Sequence, residues 1–259
     1  MNRHIGYLFI APAFVILFFT SIYPVAFSFY FSFFDWNWGN QENFIGLDNY
    51  LFLLIDPEFW TVIYNTFVFA SVSCFLEVTI GIILAIFVDR IVFCSTIIRT
   101  ILILPLMVSG IIVSMISKIM FNNLFGVIPY GLKQIDIRSS FFGSTEAAMP
   151  TLIGVDVWWQ TSFVFIIILA ALQGIPNDTV EAAKIDGASE WDITRFIRLP
   201  LIKPIIFLVI IFRSIDTLKI FDLVWGITGG GPGISTEVVQ TYSYTVSYTH
   251  LRTHETVLD

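Results

Sequence analysis

Charge is what this 259-residue chain has least of. Asp, Glu, Lys and Arg make up 13% of it, about half the share found in soluble domains. With 56% hydrophobic residues, 27 Phe and 7 Trp and a mean hydropathy of +0.83, that scarcity excludes a water-soluble globular fold and makes the chain a polytopic membrane protein. Histidine is nearly absent too. Only His4, His250 and His254 occur; the last two are four apart, but Leu251 stands where a zinc-protease helix has glutamate and no third ligand follows, so no metal site is expected. The two cysteines, Cys74 and Cys94, lack any Cys-x-x-Cys spacing and read as ordinary small residues. No G-x-x-x-x-G-K-[ST] loop is present: the glycine-rich GITGGGPG, residues 226–233, lacks the lysine and follows an apolar run, which makes it a turn and not a phosphate cradle. Nothing reads as nucleic-acid binding, and no nucleophile converges with a base. The net charge of −7 reflects acids gathered in particular loops and speaks of topology.

What is abundant is apolar length. A hydrocarbon core about 30 Å thick needs about 20 helical residues to cross. Five runs qualify: residues 7–34 with no charge, 61–88 with only Glu77, 100–117, 147–172 with only Asp156, and 204–225 with four charges. The first is too long for the apolar core of a signal peptide and no small-residue cleavage site follows it, so it is expected to stay in the mature chain.

Basic residues in short loops set orientation. With the N-terminus inside, the inner segments hold Arg3, Arg90, Arg99, Lys184, Arg195, Arg198 and Lys203, whereas the outer ones hold Lys118, Lys133, Arg138 and Arg252. The first outer loop, residues 35–60, has five acids and no base. The N-terminus and the segment around residues 177–203 are therefore expected in the cytoplasm.

That inner segment is where the charge has gone. Glu181, Lys184, Asp186, Glu190, Asp192, Arg195, Arg198 and Lys203 fall within one short stretch between two apolar runs. Pro176 ends any earlier helix, Asp178 with Glu181 has capping-box spacing, and Gly187 suits a left-handed helix end. Ser189 with Asp192 restarts a second helix, and Pro200 marks the approach to the membrane. Val180, Ala183, Trp191, Phe196 and Ile197 give these two short helices apolar surface in water. From the residues alone two readings stand: a docking surface for a second protein, or a solvated loop folded against its own membrane helices.

Glu181, Ala182, Ala183, three residues, Gly187, nine residues, Ile197, one residue, Leu199 and Pro200 resemble the EAA loop of ABC importer permeases with its full spacing. Further likeness to the carbohydrate-uptake branch, the maltose and glycerol-phosphate permeases, lies in FIGLDNYLFLLIDPEFW (44–60), NTFVF (65–69), RTILILPL (99–106), FGVIPYGLK (125–133), LAALQGIPNDTVEAAKIDGA (169–188) and FDLVWGITGGGPG (221–233). The resemblance implies an all-α integral membrane protein, the transmembrane domain of a type I ABC importer in a prokaryotic plasma membrane. It implies that Glu181, Ala182, Ala183, Asp186, Gly187, Ile197, Leu199 and Pro200 couple to an ATPase subunit. The implied partners are a second permease, two ATPases and an extracytoplasmic solute-binding protein. ATP and Mg belong to the ATPases, and this non-catalytic chain binds no cofactor. The implied cargo is a sugar, an oligosaccharide or glycerol phosphate. The alternative is a secondary transporter or channel subunit working without ATPases.

Arg213, Asp216, Lys219 and Asp222 recur every three residues in the fifth run, so neighbours can pair along one helix face. Intramembrane charges are expensive in lipid, about 2.5 to 3.5 kcal/mol each on insertion scales. Such a face lines a polar cavity or a subunit contact, or it forms a structural pairing row near the outer interface. Asp156 and Glu77 carry the same two readings. Trp158 and Trp159 suit sugar faces or act as interfacial anchors. Permeases of this kind continue into a sixth span, but residues 235–259 contain no apolar run able to cross. VSYTHLRTHETVLD, residues 246–259, resembles a translated sequencing-library adapter, so the native domain is expected to be residues 1–245 with five spans and the sixth missing.

Overall fold

A computed structural model describes residues 3–36, 43–91, 95–134 and 140–252. They fall into two compact units, one drawn from residues 1–60 and 247–259, the other from residues 61–246.

In the first unit, α1 (Arg3–Leu17) and α2 (Tyr23–Phe31) are joined through one π turn, Phe18–Ile22. Phe9–Phe31 forms an uninterrupted apolar helix of 23 residues, enough to cross a membrane. The helix stops at Phe31, three residues short of the sequence expectation, because the backbone turns into a two-stranded ribbon. There β1 (Phe34–Asp35) pairs antiparallel with β2 (Asn43–Phe44), with Phe34 opposite Phe44. The following α3 (Asp48–Ile55) is tied back by Asn49, whose side-chain amide donates to the Ser32 carbonyl at 2.9 Å, and by Tyr50, whose hydroxyl meets that of Ser32 at 2.6 Å.

The second unit is built on two long helices, α4 (Pro57–Arg90) and α8 (Thr145–Gln173). These match the second and fourth expected spans, and each passes the test of length and hydropathy for crossing. Along α4 the buried positions Val62, Asn65, Phe69, Ser73, Glu77, Gly81, Ala85 and Val88 recur at helical spacing, so a single stripe meets the rest of the unit. Gly81 sits where that stripe meets α8. A β-carbon there would come within 2.6 Å of Val164, and its absence lets the two backbones approach.

The third expected span is broken. It consists of α5 (Ser95–Ile103), a 3₁₀ turn (Leu104–Met107) and α6 (Gly110–Met120), bent by 96° between the two halves. Pro105 lies at the start of the 3₁₀ turn, and Val108 and Ser109 are extended, with ψ 133° and 151°. Proline removes a helical donor and two extended residues stop propagation, a break that hydropathy alone does not register. A short helix, α7 (Val127–Lys133), leads toward α8.

The fifth span is displaced. After α9 (Asn177–Ile185) the chain restarts at α10 (Glu190–Asp192), passes through a π turn (Ile193–Arg198) and continues without interruption into α11 (Leu199–Leu218). The expected short second helix ending before Pro200 is thus the first turns of the membrane helix. Pro200 has no N–H to give the carbonyl four residues back, and the wider turn just before it absorbs that loss. Helix α11 ends at Leu218, not at residue 225; Asp222 then opens a separate helix, α12 (Asp222–Ile227), which packs on α6. Lys203, Arg213 and Asp216 keep α11 from passing a purely apolar test. Among the described residues three helices pass it, or four with the bent pair counted as one span, so the count of five is not reproduced.

The GGGPG stretch is a turn, as expected. Gly229, Gly230 and Gly233 have φ of 60°, 91° and 61°, and Thr236 Oγ1 donates to the Gly231 carbonyl at 2.7 Å. Beyond it lies α13 (Val239–Arg252). Its start is anchored: Asn65 Nδ2 donates to the carbonyls of Ile234 (2.9 Å) and Glu237 (3.2 Å), and the Val239 amide donates to Thr66 Oγ1 at 3.0 Å. Helix therefore stands where the sequence offered no sixth span, although its 14 residues are fewer than a crossing needs. Of the segment 246–259, residues 253–259 lie outside the described residues, as does Cys94.

Two apolar clusters form the core. One gathers Cys74, Val78, Val164, Phe165, Ile168, Ile202 and Val209; the other gathers Phe69, Val113, Leu152, Leu223, Val224 and Val238. Glu77, Asp156 and Arg213 are buried in the same unit and form a charged layer.

Candidate functional site

Two sites follow from this frame. The first is the segment between α8 and α11. Helix α9 begins one residue after Pro176, whose ψ of 132° makes it the N-cap without a side-chain cap. Asp178 is therefore inside the first turn, and the expected capping box with Glu181 does not form; the carboxylate instead faces the positive helix end. The helix closes as the sequence implies. Gly187 has φ +84°, the Gly187 amide donates to the Lys184 carbonyl at 3.1 Å and the Ala188 amide to the Ala183 carbonyl at 3.0 Å, which is the doubly bonded left-handed helix end. The second capping box is present: the Asp192 amide donates to Ser189 Oγ at 3.2 Å and the Ser189 amide to Asp192 Oδ2 at 3.2 Å.

One ion pair and two hydrogen bonds fasten this segment to the end of α4. Arg90 Nη2 donates to Thr194 Oγ1 at 2.6 Å and to the Glu190 carbonyl at 3.2 Å, while Arg198 meets Asp89 at 3.2 Å. The end of α4 and the start of the Glu190 helix thus share one side of the unit. Lys184 and Glu190 bridge the two halves across Gly187 at 2.8 Å. The Lys184 ammonium holds the Glu190 carboxyl below its ordinary range. The segment presents apolar surface as expected. Trp191 and Phe196 are 65% and 66% exposed, and Ile185, which the sequence reading passed over, is 86% exposed. Glu181, Ala182, Asp186, Gly187 and Pro200 are exposed as well, whereas Ala183, Ile197 and Leu199 are half-buried.

The second site is the charged layer. Arg213 on α11 donates from Nε to Glu77 Oε2 at 2.5 Å and from Nη2 to Glu77 Oε1 at 3.0 Å. The same guanidinium reaches Asp156 on α8 at 3.5 Å and Asp216 on its own helix at 3.5 Å. Glu77, Asp156 and Arg213 are all buried. One cation therefore ties α4, α8 and α11 together through a two-pronged pair whose geometry is available to arginine and not to lysine. Asp156 Oδ1 and Ser73 Oγ, both buried, have no hydrogen-bond partner among the described residues.

Beside this layer opens a cavity of about 260 Å³ lined by Asp156, Trp159, Gln160, Arg213, Asp216, Lys219, Ile220, Phe221 and Asp222. The four charges at three-residue spacing do converge there, though not along one helix face, because α11 ends between Asp216 and Asp222. Trp158 is not part of it; that ring is 59% exposed and borders a separate apolar cavity of about 570 Å³ with Val113, Met120 and Phe141. The tryptophan at the charged cavity is Trp159, whose indole N–H donates to the Val108 carbonyl at 3.1 Å. Glu77 as the partner of Arg213 is the feature the sequence reading missed. The signal was there: the sole charge of one span and the basic residue of another have to find each other in a low-dielectric interior.

Residues 77–247, two thirds of the chain and every residue of both sites, match the family described as binding-protein-dependent transport system inner membrane component. The chain belongs to that family. This permease is 34% identical over 242 residues to the trehalose/maltose transport system permease protein MalF of Thermococcus litoralis, covering 93% of this chain and 82% of that one. It is 34% identical over 257 residues to the sulfoquinovosyl glycerol transport system permease protein SmoG of Agrobacterium fabrum, covering 96% and 83%. In structure it resembles a chain of a bacterial ABC transporter involved in import of the acidic polysaccharide alginate, with TM-score 0.83, 25% identity, and coverage of 96% and 85%.

Proposed function

We propose that this permease is one membrane-spanning half of an ATP-driven importer for a sugar or glycerol phosphate, and that residues 177–203 are its coupling element for an ATPase. Its family is that of binding-protein-dependent systems, which supports a solute-binding protein on the outside; a second permease and two ATPases, holding ATP and Mg, complete the assembly. The N-terminus and the coupling element face the cytoplasm. Substrate passes beside Asp156, Arg213, Asp216, Lys219 and Asp222, and Trp158 is left free to meet sugar or the second permease. Alternating access follows when ATPase closure moves the coupling element.

The observation that carries the coupling role is the exposure of Ile185, Trp191 and Phe196 around an ordered left-handed turn. Three large apolar side chains held in water on a capped, ion-paired frame are a surface awaiting a partner. A carrier working without ATPases leaves that surface unused.

Gly187→Val tests it. A β-carbon at Gly187 meets nothing within 4 Å, so the substitution acts only through the left-handed backbone, at about 1 to 2 kcal/mol. Membrane insertion and the permease pair persist, while ATPase co-purified with the complex falls about tenfold or more. Wild-type ATPase recovery with the Gly187→Val chain would overturn the coupling role.

A further inference from the structure

The relatives are named for both uncharged and acidic cargo, so likeness alone leaves the charge class of the substrate open. The charged layer closes it. Among the described residues Arg213 is the only guanidinium on the cavity wall; its Nε and Nη2 donate to Glu77, which does not line the cavity, and the same group reaches Asp156 and Asp216 at 3.5 Å. Seen from the cavity, Arg213 and Glu77 cancel. What remains on the wall is three carboxylates, Asp156, Asp216 and Asp222, against the single ammonium of Lys219. Neither Lys219 nor Asp222 has an ion-pair partner among the described residues. A concave site with low-dielectric walls focuses the field of such an excess and repels anions from it.

We propose that Glu77 is a specificity-determining residue acting through Arg213: it neutralises the one fixed guanidinium of the cavity, which thereby accepts uncharged saccharides and excludes sugar phosphates and uronates. This rests on the reading that the cavity belongs to the substrate path. The remaining surface suits a neutral sugar. Carboxylates accept from hydroxyl groups, Lys219 and Gln160 donate to them, and Trp159 and Phe221 offer ring faces to the apolar side of a pyranose. A phosphate or uronate would meet three like charges and no free guanidinium to form a two-pronged pair.

The test measures the field directly and needs no knowledge of the cargo. In the assembled importer in membrane vesicles, with Cys74 and Cys94 replaced by Ala, Gln160→Cys places a thiol on the cavity wall. Its reaction rate is taken with a cationic trimethylammonium-ethyl methanethiosulfonate, an anionic sulfonatoethyl methanethiosulfonate and the neutral methyl reagent. The cation-to-anion rate ratio, normalised to a free thiol, is expected at about fivefold or more. Glu77→Gln removes one of the three carboxylates that share Arg213, makes the site one charge less negative and lowers the ratio about threefold or more, whereas Glu77→Asp keeps it near the starting value. Asp216→Asn, at a half-exposed position that tolerates the change, lowers the ratio as well and serves if Glu77→Gln fails to assemble. A purely structural role for Glu77 would change all three rates in parallel and leave the ratio alone. An anion preference in the starting protein, or a ratio unmoved by Glu77→Gln and Asp216→Asn, overturns the inference. If even the neutral reagent fails to react, water does not reach the cavity; the path reading then falls, and this inference with it.

Discussion

The segment between α8 and α11 and the charged layer hold most of the ionisable residues that matter in this permease, and they treat them in opposite ways. In the segment between α8 and α11 the Lys184–Glu190 pair is half-exposed and the Arg198–Asp89 pair largely covered; both hold short helices in place and leave Ile185, Trp191 and Phe196 uncovered. In the charged layer Glu77, Asp156 and Arg213 are buried, and Arg213 is paired within the chain. The difference separates two kinds of function. A surface that leaves large apolar groups uncovered is open to another protein; a buried network whose charges find each other fixes geometry and field.

The sharpest way to break this contrast is Arg213→Leu. It strands Glu77 and Asp156 in the interior without a cation, a change that destabilises by about 3 to 5 kcal/mol. Monodisperse permease recovered on gel filtration after solubilisation should fall steeply, whereas Trp191→Ala should leave that yield intact and lower only ATPase recovery. Next in size is Gly226→Val on α12, since even a β-carbon there would lie 2.1 Å from Ser114 Oγ on α6. Overpacking of this kind is destabilising by about 1 to 3 kcal/mol, and thermal unfolding of the solubilised complex should register it. Gly187→Val follows at about 1 to 2 kcal/mol, its effect appearing in assembly and not in the stability of the permease.

The smallest effect belongs to Lys184→Met. An exposed pair such as Lys184 with Glu190 contributes at most about 1 kcal/mol. Because Lys184 holds the Glu190 carboxyl below its ordinary range, that contribution is present above the ordinary glutamate range. It is lost as pH falls through the lowered value. ATPase recovery should therefore be flat between pH 6 and 8 in both proteins, and only an acid titration should distinguish them.

Sequence alone revealed the local structure of the segment between α8 and α11 almost residue by residue, because its signals are local: a glycine that has to turn left-handed, a serine three residues before an aspartate, a proline that ends a helix. It failed at Asp178, where Pro176 had already taken the capping position. The long helices α4 and α8 were legible from hydropathy within a few residues of their ends. The broken third span was not, since Pro105 and the extended Val108 and Ser109 interrupt the helix without lowering its apolar content. Nor was the end of α11 at Leu218: the periodic charges of residues 213–222 suggested a continuous face, and the chain instead folds back to bring them to one cavity from two elements. The pairing of Glu77 with Arg213 spans 136 positions, and no local pattern carries information over that distance.

The uninterrupted run from Glu190 through the π turn to Leu218 has a mechanical consequence. Trp191, exposed near the start of this run, and Arg213, in the charged layer, ride on the same rod about 30 Å apart, with no loop between them to absorb motion. Tilting that rod by about 10° about one end displaces the other by about 5 Å, by the geometry of a lever of that length. Since Arg213 is clamped to Glu77 and Asp156 on two further helices, such a tilt has to carry α4 and α8 with it or pull the guanidinium free. The segment around Trp191 and the buried charges thus cannot move independently of each other.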